Sequence, residues 1–119
     1  MNRKALGELG ERWAREYLER CGYHILETNF RCREGEIDII ADHEGCLVFV
    51  EVRTKTGSRF GTPEESVTAA KQERLASVAL SYLQAHCDSP PEWRIDVVAI
   101  DIGRNGKVAR TELIQNAVS

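Results

Sequence analysis

Two neighbouring segments, 36–42 (EIDIIAD) and 47–53 (LVFVEVR), constrain the fold of this chain most. Side chains on a β-strand alternate between the two faces of its sheet. The odd-numbered positions of the first segment and the even-numbered positions of the second are wholly apolar. Burying these two faces together predicts an antiparallel hairpin in which the numbers of two facing residues add up to 89, as for Ile39 and Val50. Such a hairpin needs a two- or four-residue loop containing Gly45, or a bulge.

The same register has a consequence for two acidic residues. The numbers of Asp38 and Glu51 also add up to 89, so these two residues are predicted to lie directly opposite each other. They lie on the other side of the hairpin from the apolar face, with Cβ atoms about 4.5–5.5 Å apart. Two carboxylates at that separation repel each other unless one is protonated or a cation lies between them. The ordinary alternative is the solvent face of a half-buried sheet. Ile40 and Phe49 share this face, however, and an acidic pair among apolar side chains can hold a hard divalent cation such as Mg²⁺.

The rest of the chain alternates helical and extended patterns. Apolar residues at helical spacing predict a helix over 5–21. A capping box that begins at Thr62 predicts a second helix running to about 86, with an interruption near Thr68 as an alternative start. Further strands are predicted at 23–30, 93–102 and 107–114. The order α-β-β-β-α-β-β predicts one α/β domain over 1–119.

Charge and composition exclude several classes of protein. Sixteen Lys and Arg against 19 Asp and Glu give a net charge of -3, which excludes a protein that coats nucleic acid by bulk charge but not local basic patches. No apolar run reaches the roughly 18–20 residues that span a bilayer, and no apolar segment follows the basic N-terminus, so we expect a cytoplasmic protein without a membrane partner. The scattered histidines and cysteines do not predict a zinc site.

Two short motifs carry a resemblance to known proteins. Gly35-Glu-Ile-Asp38, followed by Phe49-Val-Glu51-Val-Arg53, resembles the PD-(D/E)xK nuclease signature. The chain as a whole resembles the bacterial YraN-type family of uncharacterised proteins, which is considered similar to the archaeal Holliday-junction resolvases. The resemblance covers about 7–100 and includes Gly10-Glu11, Gly22-Tyr23, Asn29, Phe60-Gly61, Lys71 and Arg94-x-Asp96-Val-Val.

The resemblance implies a restriction-endonuclease-like fold, with a central mixed sheet flanked by helices, and cleavage of DNA phosphodiesters with Mg²⁺ or Mn²⁺. It implies that Asp38 and Glu51 are metal ligands, together with the backbone carbonyl of Val52. Glu11 would reach the metal directly or through a water; the alternative is a solvated helix charge. Resolvases of this fold act as dimers on branched DNA, which implies a homodimer and a structured DNA substrate.

One position departs from the nuclease pattern. The third motif residue is Arg53 where the signature has lysine, and arginine cannot lose its proton to act as a general base. Arg53 can stabilise phosphate charge; alternatively, it forms an ion pair with Glu36 or Glu51. Lys55, two residues further along, and Lys71, on the following helix, are the lysines that could compensate.

Basic residues near these motifs are candidate phosphate contacts. No sequence-reading motif accompanies them, so we expect recognition of DNA structure rather than of bases. Three hypotheses remain: a Mg²⁺-dependent structure-selective endonuclease, a non-catalytic nucleic-acid-binding module of the same fold, and a structural or partner-binding protein. The candidate contacts are Arg31, Arg33, Lys55, Arg59 and Arg74.

Overall fold

The computed structural model describes residues 2–56, 67–86 and 92–117. Arg59, Phe60 and the predicted helix start at Thr62 lie outside the described residues. The order of the elements confirms the predicted α-β-β-β-α-β-β arrangement. The elements are α1 (Arg3–Arg20), β1 (His24–Cys32), β2 (Gly35–His43), β3 (Cys46–Thr56), α2 (Ala69–Ala85), β4 (Trp93–Ile102) and β5 (Val108–Ile114).

The five strands form one mixed sheet in the order β1-β2-β3-β4-β5. β3 and β4 are parallel because the chain between them contains α2, whereas short turns join the three antiparallel pairs. The two helices pack on opposite faces of the sheet. The predicted mixed sheet flanked by helices is confirmed. Among the described residues, no helix is long and apolar enough to cross a membrane.

Both helices begin at side-chain caps. Asn2 Oδ1 accepts a hydrogen bond from the backbone N–H of Ala5 at 2.8 Å, so α1 begins two residues earlier than predicted. Thr68 Oγ1 accepts from the backbone N–H of Lys71 at 3.2 Å, which starts α2 at the alternative position near Thr68. Lys71 consequently lies in the first turn of α2.

The sheet is buried on both faces, by two separate clusters. The α1-side cluster contains Ile39, Val48 and Val50, and the α2-side cluster contains Ile40 and Phe49, so the strands alternate as predicted along this stretch. Burial on both faces explains why β3 has a nearly continuous apolar run. Ala14, Leu18, Val98 and Ile100 complete the centre of the first cluster, and Leu75, Val78, Ala79 and Ile95 that of the second.

Candidate metal centre at the fork between β2 and β3

The hairpin of β2 and β3 has the predicted register. The numbers of facing residues add up to 89 in every pair, from His43 with Cys46 at the turn to Ile39 with Val50. A two-residue loop closes it, with φ of 53° at Glu44 and 84° at Gly45, the pair of positive values that a type I′ turn requires. The turn chemistry therefore fixes the register that brings Asp38 and Glu51 to the same level of the sheet.

Beyond Ile39 and Val50 the two strands separate, and we call this opening the fork. In a continued ladder the Val52 amide would face residue 37, but it donates instead to Asp38 Oδ2 at 2.8 Å. On the other side of β2, Asn29 has a φ of 55°, in the left-handed region that Asn tolerates better than most residues. The sheet is thus distorted on both sides of Asp38.

This distortion corrects part of the face assignment. Ile37 was predicted to share a face with Ile39, but it packs in the α2-side cluster while Ile39 packs in the α1-side cluster. Phe30, the partner of Ile37 in β1, also packs on the α2 side. The prediction for Ile37 is wrong because the left-handed backbone at Asn29 and the side-chain hydrogen bond of Asp38 break the regular alternation.

The carboxyl groups of Asp38 and Glu51 meet at the fork. Burial raises the pKa of Asp38 from 3.8 to about 8, assisted by a hydrogen bond from its carboxyl to that of Glu51 and by the charge of Glu51. The hydrogen bond from the Val52 amide opposes this rise, and the charge of Glu11 adds to it. The neutral form of the Asp38 carboxyl is therefore favoured well above its usual pH range. Glu51 is only 5% exposed, so the solvent-face interpretation is wrong for it.

Two cations from different elements approach Glu51. Lys71 Nζ lies 3.0 Å from Glu51 Oε2, and an Arg53 guanidinium nitrogen lies 3.7 Å from the same oxygen. Oε2 is fully buried and, within the described residues, accepts no well-directed hydrogen bond, so the contact with Lys71 is a charge contact rather than a directed bond. Of the two partners considered for Arg53, the structure selects Glu51 over Glu36.

Glu11 reaches the same region from α1 because the helix packs closely on β3. A Cβ atom at Gly10 would lie 2.2 Å from Thr54 Oγ1, so only glycine permits this approach. Burial raises the pKa of Glu11, the positive charge of Arg15 opposes the rise, and the charge of Glu36 adds to it. Glu11 is half-buried, which excludes a fully solvated helix charge.

A cleft of about 410 Å³ opens over Asp38. Glu11 and Asp38 both line it, and Glu51 meets Asp38 at the fork, so three elements supply the acidic residues. The wall also includes a pair from β1 and β2, in which Arg31 Nε lies 3.0 Å from Glu36 Oε2. Its other lining residues are Arg3, Lys4, Gly7, Glu8, Asn29, Val52 and Thr54.

The remaining predicted residues lie at differing distances from the cleft. β3 continues to Thr56, so Lys55 stays on the strand of Glu51, beside Asp101 of β4. Arg33 lies in the exposed turn between β1 and β2. Arg74 lies on α2 over the start of β2, where a Cβ atom at Gly35 would be 3.4 Å from Arg74 Cδ. Neither Arg33 nor Arg74 lines the cleft.

The donor set suits a cation that needs few protein ligands. Across 2–56, 67–86 and 92–117, no three His, Cys, Asp or Glu side chains converge closely enough to hold a metal ion. Glu51 Oε2 is buried and accepts no directed hydrogen bond within the described residues, and the charge of Glu51 helps to raise the pKa of Asp38, so negative charge is concentrated at this pair. Mg²⁺ takes one or two carboxylates and keeps several waters, which fits Asp38 and Glu51.

Sequence reasoning missed the residues that shape and extend the cleft. Arg12 and Arg15 line its continuation along α1, and their spacing of four positions from Glu8 and Glu11, respectively, was the available signal. The role of Asn29 was also missed, although asparagine is depleted in strands and favoured in left-handed backbone.

A second polar cluster, which includes the Arg94-x-Asp96 motif, lies at the other end of the hairpin. Asp96 is fully buried and accepts from Tyr23 Oη at 2.7 Å, from Arg94 Nε at 3.0 Å and from the Asn116 amide at 2.9 Å. Arg94 also contacts His43 Nδ1 at 2.8 Å. These bonds join the start of β4 to residues before β1, at the end of β2 and after β5, so the motif holds the sheet together.

Comparison with known proteins assigns the chain to a family. The model of the uncharacterised protein family UPF0102 matches residues 10–100. The chain is 52% identical over 114 residues to a UPF0102 protein of Symbiobacterium thermophilum, covering 96% of each chain. It is 48% identical over 117 residues to one of Roseiflexus castenholzii, covering 98% of this chain and 94% of the relative. On the family match and these identities, this chain belongs to the uncharacterised protein family UPF0102.

Proposed function

We propose that this protein is a cytoplasmic endonuclease that uses Mg²⁺ or Mn²⁺ to cleave phosphodiester bonds in branched or otherwise structured DNA. The observation that carries this proposal is the contact between the Asp38 and Glu51 carboxyl groups in a cleft that also presents cations. Carboxylates hold a hard divalent cation, and neighbouring cations hold phosphate oxygens, so one cleft provides both halves of phosphodiester hydrolysis.

Asp38 and Glu51, with the carbonyl of Val52, would hold the cation. When bound, that cation supplies a Lewis acid for the phosphate and lowers the pKa of a bound water. Asp38 must first release the proton it shares with Glu51, so occupation of the site becomes easier as the pH rises. Glu11 lines the same cleft without completing a three-residue ligand group, which suits a role through water.

Lys71 and Arg53 would stabilise charge on the phosphate. Both lie within 4 Å of Glu51. The permanent charge of Arg53 suits an electrostatic role and excludes it as a general base. Lys71, on the first turn of α2, and Lys55, on β3, are the lysines available near the position that the nuclease signature fills with lysine.

The direct test is cleavage of labelled four-way junction, flap, single-stranded and duplex DNA in Mg²⁺, Mn²⁺ or EDTA. Asp38→Asn and Glu51→Gln should each abolish metal-dependent cleavage. Glu44→Gln is the matched control, because Glu44 is an exposed carboxylate at the far end of the same hairpin. Cleavage that survives both substitutions at the fork would come from a contaminant and would refute the assignment.

A non-catalytic nucleic-acid-binding module is the second candidate. It is favoured by the contacts of Lys71 and Arg53 with Glu51, which already offset one carboxylate without a metal. Binding of structured DNA without cleavage in any metal would select it, and neither binding nor cleavage would leave a structural or partner-binding role. Analytical ultracentrifugation with and without junction DNA tests the expected homodimer.

A further inference from the structure

Three adjoining clefts follow one side of α1 and form a continuous depression, which we call the α1–β1 groove. The cleft over Asp38 shares Glu8, Glu11 and Asn29 with a second cleft of about 200 Å³. The second shares Arg12 and Arg15 with a third of about 280 Å³, which ends at Glu19 and Ile25. From Arg3 to Glu19 the groove spans about 24 Å at the helical rise of 1.5 Å per residue.

Two exposed arginines lie at the middle of the groove. Arg12 and Arg15 are exposed, lie three positions apart on one side of α1, and line both the second and the third cleft. Neither forms an ion pair with any residue in the part of the chain that the structure describes. Burial raises the pKa of Glu11 and the charge of Arg15 opposes that rise, so the Arg15 guanidinium acts on the groove rather than only on bulk solvent.

We propose that the α1–β1 groove binds one single-stranded segment of the DNA substrate, with Arg12 and Arg15 each contacting a backbone phosphate. The proposal rests on the nuclease function, because Asp38 lines the first cleft of the groove. Arg15 lies four residues, or about 6 Å, along α1 from Glu11, which keeps both arginines close to the cleft over Asp38. Arginine suits this role because its fork of donors matches phosphate oxygens.

The dimensions and lining of the groove favour a single strand over a duplex. The volumes of its clefts, about 200 to 410 Å³, lie in or below the size range of small-ligand pockets. A space of this size admits one sugar–phosphate chain. Its described lining contains no aromatic side chain on which bases could stack, so binding should depend on phosphates and be indifferent to sequence. A length of about 24 Å limits the bound segment to a few nucleotides.

Acidic residues in the groove make binding selective and weak at high salt. Glu8, Glu16 and Glu19 line it together with the arginines, so the groove lacks the excess positive charge that would attract any polyanion. Affinity should therefore come from the two guanidinium contacts. For single strands, each phosphate contact contributes a slope of about −0.7 in log K against log salt concentration.

The test is fluorescence anisotropy of labelled oligothymidylates in EDTA, across a series of salt concentrations. Arg12→Gln and Arg15→Gln should each weaken binding about tenfold and reduce the magnitude of the salt slope by about 0.7, and the double variant by about 1.4. Affinity should rise with length over the first few nucleotides and then level off. Arg104→Gln with Lys107→Gln, in the exposed turn before β5, removes the same charge away from the groove and should leave the slope unchanged.

Three outcomes would overturn the groove assignment: an unchanged slope in Arg12→Gln with Arg15→Gln, an equal loss in the control pair, or tighter binding of duplex than of single strands. Urea unfolding of each variant shows that a loss of binding is not a loss of folding. Binding that depends on both arginines, without cleavage of any DNA, would leave the groove standing and reject the nuclease. If Asp38→Asn abolishes cleavage and the arginine variants do not affect it, the nuclease function would stand and the groove assignment would be rejected.

Discussion

Asp38→Asn should stabilise the metal-free protein at neutral and alkaline pH. The folded state raises the pKa of Asp38 from 3.8 to about 8, so between these values the native protein keeps a proton that the unfolded chain has released. The free energy of unfolding then falls as the pH rises through this window, and the fall ends above about pH 8. At 1.36 kcal/mol per pKa unit, the loss at pH 7 is at most about 4 kcal/mol, since the fork can open and admit water.

The substitution removes this titration while it preserves the local geometry. An amide at position 38 keeps an oxygen that can accept from the Val52 N–H, and its NH₂ can donate to Glu51. We therefore expect a small difference from the wild-type protein at about pH 5 and an advantage for Asp38→Asn that grows to a few kcal/mol by about pH 8. Glu51→Gln should also flatten the profile, because the hydrogen bond and charge of Glu51 contribute to the shift of Asp38.

The assay is urea unfolding followed by circular dichroism in EDTA, between about pH 5 and pH 9, with Glu44→Gln as the control for loss of an exposed carboxylate. Repeating the series with millimolar Mg²⁺ should raise the stability of the wild-type protein at high pH and leave Asp38→Asn unchanged. A wild-type profile that is flat over this range, or one that Asp38→Asn reproduces, would refute the raised pKa and the apposition of the two carboxyl groups.

Three further substitutions test other parts of the structure. Gly10→Ala should destabilise the protein by about 1–2 kcal/mol in urea unfolding, because the clash of the new Cβ with Thr54 Oγ1 outweighs the gain in helix propensity. Adding Thr54→Ala should recover most of this loss. Lys71→Met should lower the free energy of unfolding in EDTA at about pH 8 by about 1–3 kcal/mol, because it removes the ammonium 3.0 Å from Glu51. For the same reason, Mn²⁺ should stabilise this variant more than the wild-type protein in thermal melts. Asp96→Asn should lower the free energy of unfolding by about 3 kcal/mol, because it leaves a buried cation network without its anion.

The sequence determined the elements and the central register because the signals for both are local. Helical and alternating periodicities gave the order of helices and strands, and strand β4 was placed at its observed bounds, Trp93–Ile102. The apolar faces of the hairpin fixed this register, since a slip of one residue would move every side chain of one strand to the opposite face of the sheet. That register alone was enough to bring Asp38 and Glu51 to one level of the sheet.

Only the tertiary structure decided how that pair is arranged and what surrounds it. The left-handed backbone at Asn29 and the bond from the Val52 amide to Asp38 open the fork, and they place Ile37 on the face opposite to the one that alternation predicts. The contact of Lys71 with Glu51 joins residues of different elements, so no spacing in the sequence encodes it. Local periodicity specifies faces and register; burial, charge and close approach at the cleft depend on elements distant in sequence, and these exist only once α1 and α2 have packed on the sheet.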